Sequence, residues 1–148
     1  MRVAFFGTPQ FAVPALDALA RAHEIVLVAA QPDKPAGRGM EMKPPAVAVK
    51  ARELGLRLIQ PPKVREAIDD VRAAAPDVAI VVAYGKILPA SLLEIPRHGF
   101  LNIHGSILPR WRGAAPIQRA IEHGDTQTGV TIMRVDEELD HGPMLAIA

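Results

Sequence analysis

Apolar residues along the chain come in short unbroken runs, separated by stretches whose apolar positions recur at helical spacing. Residues 2–6 form the first run, ended by Gly7. Thr8 and Pro9 then offer an N-cap and a first-turn proline for a helix reaching residue 20. Residues 24–30, rich in valine and isoleucine, predict a second strand. Strand, helix and strand in so short a span make a βαβ unit, which requires a parallel sheet. The same alternation continues with a helix over 46–54 stopped by Gly55, a short strand over 57–60 and a helix over 64–74 that ends before Pro76. At 78–83 the run is wholly apolar, as suits a central strand buried on both faces. Strands follow over 100–103 and 129–135, on either side of a helix over 115–122 that tolerates Pro116 in its first turn. The expected fold is α/β: a Rossmann-like, open, mostly parallel twisted sheet with helices on both faces.

Two segments break this rhythm. Residues 31–45 hold four prolines and two glycines, too broken for helix or strand and too long for a plain connection, so a functional or mobile loop is expected. Residues 143–148 open another apolar strand, at which the sequence stops. Because a domain seldom ends inside an apolar strand, residues 1–148 are expected to be one domain cut short.

Composition narrows the class. A length of 148 residues with 49% apolar content fits a single globular domain and argues against disorder. With no cysteine there is no disulfide, thiolate metal site or cysteine nucleophile, and a reducing cytoplasm is the plain reading. The opening apolar run is too short for a signal peptide, and no run approaches the length of a membrane helix. Net charge is only +1, but residues 31–52 and residues 107–119 each carry +3, so the remainder is acidic. Two basic segments on an acidic domain are a possible phosphate footprint, although basic loops are more often simply solvated.

The candidate chemistry lies in 100–113, F-L-N-I-H-G-S-I-L-P-R-W-R-G. Asn102 and His104 stand two apart near the end of a strand, so a period of two puts an amide and an imidazole on one face. A fixed neutral donor beside one whose charge changes near neutral pH suits oxyanion stabilisation with proton movement. Ser106 lacks the G-x-S-x-G elbow of a hydrolase, and His104, His123, Asp140 and His141 lack metal-site spacing, so neither a serine nucleophile nor a metal is expected. Only the first glycine of G-x-G-x-x-G follows the first strand, which argues against a nicotinamide or flavin cofactor. The turn Tyr84-Gly85 with Ile87 and Leu88 lies at a strand's carboxyl end, and reads equally well as ligand wall or as tight turn and core. Trp111, between two arginines, either stacks on a base or anchors the loop into the domain.

The run N-I-H-G-S-I-L-P-R-W-R-G-A-A-P-I-Q-R-A-I resembles the signature of the methionyl-tRNA formyltransferases, and its first part resembles all formyltetrahydrofolate-dependent formyltransferases. The resemblance extends over nearly the whole chain, with V-D-E-E-L-D-H-G matching the family's V-D-x-x-L-D-x-G. It implies formyl transfer from 10-formyltetrahydrofolate, the co-substrate, to the α-amine of methionyl initiator tRNA, without a metal or a covalent enzyme intermediate. Asn102, His104 and Asp140 would form the catalytic set. Ser106, Ile107, Leu108 and Pro109, with Tyr84, Gly85 and Leu88, would hold the folate. The P-A-G-R-G loop would approach the tRNA, with Arg38 and Lys43 as its RNA contacts. Family members continue into a C-terminal β-barrel domain that helps hold tRNA, which has no counterpart in this sequence, and a monomer without membrane association is expected of the full-length form. Two other readings compete: a sister formyltransferase acting on an amino-sugar nucleotide or ribonucleotide amine, and a non-catalytic folate- or RNA-binding fragment.

Overall fold

A computed structural model describes residues 1–138 and 140–148; Leu139, inside the acidic motif, lies outside the described residues. Seven strands form one sheet in the order β5-β2-β1-β6-β7-β8-β9. They are β1 (Arg2–Gly7), β2 (Glu24–Ala29), β5 (Leu58–Ile59), β6 (Val78–Val82), β7 (Phe100–His104), β8 (Thr131–Arg134) and β9 (Met144–Ile147). The first five named are parallel, whereas β8 pairs antiparallel with β7 and β9 antiparallel with β8.

The strands bury alternate residues on the sheet's two faces. On one face, Val3 and Phe5 pack with Leu16 of α1 (Val13–Ala22) and with Val47, Ala48 and Ala51 of α2 (Ala46–Glu53). On the other, Ala4 and Phe6 pack with Val71 and Ala74 of α3 (Ile68–Ala74) and with Leu92 of α4 (Ala90–Leu93). Phe6 meets Tyr84 and Phe100 edge to face, at centroid distances of 5.3 and 5.2 Å. Such pairs contribute roughly 0.5–1.5 kcal/mol each beyond their buried area. This aromatic trio fixes the end of β6 and the start of β7, the strand that carries Asn102 and His104.

Several local expectations are corrected. Thr8 caps no helix: its Oγ1 donates to the Tyr84 carbonyl at 2.8 Å and accepts from the Gln31 amide at 3.3 Å. It ties together chain segments following β1, β2 and β6, and α1 begins only at Val13, after a 3-10 turn over Gln10–Ala12, with Pro14 in its first turn. The helix expected over 64–74 is likewise divided into a 3-10 turn (Val64–Ala67) and α3. The segment 31–45 is not structureless, because β3 (Lys34–Ala36) pairs antiparallel with β4 (Glu41–Lys43) as a separate hairpin. Pro35 is tolerated there because a two-stranded ribbon leaves each strand with a free edge. No helix among the described residues is long and apolar enough to cross a membrane.

Gly7 shows why the first turn needs its glycine: a Cβ there would lie 2.8 Å from Phe5 Cε1 and 3.0 Å from both Ala12 Cβ and the Val82 carbonyl. The missing side chain lets the turn pack closely on Ala12 and on the end of β6.

Candidate active site

The chain order runs from β1 outward through β2 to β5, then crosses back to β6 and β7. Such a reversal opens a crevice beyond the carboxyl ends of the strands. A cavity of about 540 Å³ lies there, walled by Phe11 after β1, Tyr84 to Leu88 after β6, and Asn102 to Gly105 in and after β7. That volume is within the usual range for a small-molecule site.

Asn102 and His104 both line the cavity, and the connection between β8 and β9 brings Asp140 onto them. Asn102 Nδ2 donates to Asp140 Oδ1 at 3.4 Å, and His104 Nδ1 lies 3.7 Å from the same oxygen. The other Asp140 oxygen accepts from the Gly113 amide at 2.7 Å. His104 and Asp140 are both buried, at 6% and 9% exposure, so their interaction is little screened by solvent.

The second imidazole nitrogen is committed. His104 Nε2 lies 2.8 Å from the Trp111 carbonyl, and because a carbonyl only accepts, Nε2 carries the hydrogen. Nδ1 is therefore the nitrogen turned toward Asp140. Trp111 has φ +61°, a left-handed conformation costing a non-glycine residue roughly 1–3 kcal/mol unless its surroundings impose it. The surroundings are specific: Trp111 Nε1 donates to Asp125 Oδ2 at 2.6 Å, and Arg110 grips both oxygens of the same carboxylate at 2.9 and 2.7 Å. Trp111 is thus an anchor folded into the domain.

Residues 1–148 match the family model described as Formyl transferase. The chain belongs to the formyl transferase family. It is 56% identical over 149 residues to a methionyl-tRNA formyltransferase of Thermus thermophilus, covering 99% of this chain and 49% of that protein. A protein of the same name from Deinococcus radiodurans is 58% identical over 147 residues, covering 97% of this chain and 46% of its own length. The chain thus spans about half the length of the curated relatives it matches. Among solved structures, phosphoribosylglycinamide formyltransferase from Bacillus halodurans superposes with a TM-score of 0.78 at 25% identity, over 100% of this chain and 78% of that one. A formyltetrahydrofolate deformylase from Pseudomonas syringae shares the fold at a TM-score of 0.73 and 24% identity, over 99% and 50% of the two chains.

Within this formyl transferase fold the residues singled out in the sequence divide. Tyr84, Gly85 and Leu88 line the cavity. Leu88 is buried while Ile87, which could have been core, is 77% exposed at the rim. Ser106, Ile107, Leu108 and Pro109 are not on the cavity wall. Ser106 is fully buried and spends its hydroxyl on the Arg110 carbonyl at 2.6 Å, while Thr131 Oγ1 donates to the Ser106 carbonyl and accepts from the Leu108 amide. These four residues form the turn that follows β7, held by the Ser106 hydroxyl and by Thr131. Arg38 and Lys43 are exposed on the β3-β4 hairpin, away from the cavity lining.

Other wall residues went unnoticed in the sequence. Gly113 and Ala114, with Pro116, Ile117 and Gln118 of α5 (Pro116–Glu122), close one side. Asp136, Glu137 and Glu138 also line it. Burial pushes the Tyr84 phenol up to about 12, so it stays neutral at working pH and cannot serve as a base. Among the described residues no three His, Asp or Glu side chains converge as a metal ion needs.

Asp125 has the opposite shift. Arg110 foremost, then the Trp111 N–H, hold its carboxyl at about 2, below the ordinary 3.8. A depressed folded-state value means that the unfolded chain binds the proton more readily, so the stabilisation is complete above pH 3.8 and is lost as pH falls toward 2. In an acid titration, Trp111 fluorescence should report release of this clamp within that window, and Asp125→Asn should remove the transition. A wild-type transition that persists in the variant would assign it to another carboxylate.

Proposed function

We propose that the protein transfers the formyl group of 10-formyltetrahydrofolate to the α-amine of methionyl initiator tRNA. The convergence of Asn102, His104 and Asp140 on one cavity supports this reading most strongly. The amine nitrogen attacks the formyl carbon, the carbonyl oxygen becomes an oxyanion, and collapse breaks the bond to N10 of the folate, which receives a proton. No protein nucleophile is required. The protein must hold the two substrates, stabilise the oxyanion and carry the amine proton away.

Asn102 has a second amide hydrogen beyond the one given to Asp140, and it serves as an oxyanion donor. His104, with Nε2–H given to Trp111, acts through Nδ1: protonated, it donates to the oxyanion, with Asp140 beside it to balance the charge. The proton from the attacking amine passes to the leaving N10 through a water held by Asp140. Tyr84, Gly85 and Leu88 wall the folate's pterin, largely with backbone groups and apolar surface. Relatives 56–58% identical are named for tRNA as substrate, against 25% identity for the phosphoribosylglycinamide enzyme, which favours the tRNA reading over its sister reactions.

The hairpin supplies the RNA contacts of this proposal. Arg38 and Lys43 are exposed, and among the described residues neither makes an ion pair, whereas Lys50 is drawn to Asp17 and Glu53. Removing both charges in an Arg38→Ala, Lys43→Ala variant should weaken tRNA binding and flatten its dependence on salt by close to two phosphate contacts, a slope change of roughly 2. Titration of the cavity with a folate analogue should be unaffected. An unchanged salt slope would place the RNA elsewhere.

A further inference from the structure

Asp125 lies outside the cavity, yet it anchors the segment on which the His104 ring leans. Its two oxygens hold Trp111 Nε1 and the Arg110 guanidinium, and that guanidinium lies 4.3 Å over the Trp111 ring. The His123 ring packs against the same indole at a centroid distance of 4.5 Å. One carboxylate thus fixes two consecutive side chains. The backbone they belong to supplies the Trp111 carbonyl to His104 Nε2 and, two residues on, the Gly113 amide to Asp140.

We propose that Asp125 is a positioning residue which, through Trp111, fixes the carbonyl that keeps the His104 proton on Nε2 and so presents Nδ1 to Asp140 and the cavity. The inference rests on the proposed role of His104 in formyl transfer. Trp111 occupies a left-handed conformation that a non-glycine residue adopts only when held there. The hold is supplied on the side-chain side by Asp125, because the indole N–H has no other acceptor among the described residues. With the clamp gone, the backbone can relax, the carbonyl leaves Nε2, and a neutral imidazole is free to carry its hydrogen on either nitrogen. In molecules of the Nδ1–H form, Nδ1 would already carry its hydrogen and Nε2 would be bare, so the ring would present the wrong protonation pattern to the cavity. Asp125 does not line the cavity, so its action runs through Trp111 and never through substrate.

The test reads the imidazole directly. Nitrogen-15 spectra of histidine-labelled protein, recorded at a pH where the ring is neutral, should show His104 of the wild type in the Nε2–H form alone. Asp125→Ala should give a mixture of tautomers. Asp125→Asn, which keeps an acceptor for the indole, should restore part of the wild-type pattern. Trp111→Phe keeps the carboxylate and an aromatic ring but removes the donor, and should resemble Asp125→Ala. In the formyl transfer assay, Asp125→Ala should lower kcat by about 10- to 100-fold, as small displacements of a catalytic group do, with KM for the formyl donor little changed. A pure Nε2–H form persisting in folded Asp125→Ala overturns the proposal, as does an Nδ1–H form in the wild type. Should Asp125→Ala not fold, an unchanged tautomer in both Asp125→Asn and Trp111→Phe overturns it equally. If the protein catalyses a different reaction, the transfer assay is silent even for the wild type, while the spectra still decide the positioning claim.

Discussion

His104→Ala is expected to reduce formyl transfer below detection, and Asn102→Ala to slow it by roughly two to three orders of magnitude. Loss of one preorganised oxyanion donor costs about 3 to 4 kcal/mol of barrier, the basis of the Asn102 figure. His104 should lose more because the proposed mechanism gives it two tasks: its Nδ1 would donate to the oxyanion, and the ring is the partner that Asp140 faces at 3.7 Å. General acid–base help of this kind adds a further factor of roughly 10² to 10⁴. Both losses should fall on kcat, since neither group grips the ground-state substrates more tightly than the developing oxyanion. Single-turnover rates with saturating folate and acceptor measure the effect, with thermal melts to show that the variants fold. Turnover in Asn102→Ala equal to the wild type would remove that residue from the oxyanion site.

The second large effect is structural. A Cβ on Gly142 would clash with the Arg134 carbonyl oxygen and come within 2.8 Å of its carbon. Neither neighbour is a flexible side-chain end, and the Arg134 amide also donates to the Pro143 carbonyl at 2.9 Å, so β8 cannot step aside without breaking the β8-β9 pairing. Overpacking against fixed backbone costs about 3 kcal/mol or more. For a domain of this size, Gly142→Ala should therefore lower the thermal midpoint by roughly 6–12 °C. Asp140 stands two residues away, so the same change should displace its carboxylate from His104 and depress kcat. A midpoint and kcat both equal to the wild type would show that the turn is far more pliant than its close contacts imply.

The sheet was readable because its strands announce themselves. Residues 78–82 are apolar throughout and all buried, and Gly55 and Pro116 end and begin helices where their backbone preferences require. The pairing of Asn102 with His104 followed from strand periodicity alone. What stayed hidden depends on long-range contacts to backbone groups. Thr8 looks like a cap, yet its hydroxyl is spent on Tyr84, 76 residues away. Ser106 gives no hint in the sequence that its hydroxyl holds the Arg110 carbonyl within its own turn. The carbonyl that fixes His104 belongs to Trp111, and a carbonyl carries no sequence signal. The β3-β4 hairpin was missed because its short, exposed strands have no buried face to impose an alternating pattern. Asp140 came from family resemblance, since spacing alone does not distinguish it from the other acids of its loop.

The most direct test is formyl transfer from 10-formyltetrahydrofolate to methionyl initiator tRNA, measured with this protein beside His104→Ala. The account predicts N-formylmethionyl-tRNA formed by the wild type and none above background by the variant, with both chains still binding a folate analogue in the cavity. Equal product from both would contradict the assignment of the chemistry to His104, and an empty cavity in the presence of saturating folate analogue would contradict the site itself.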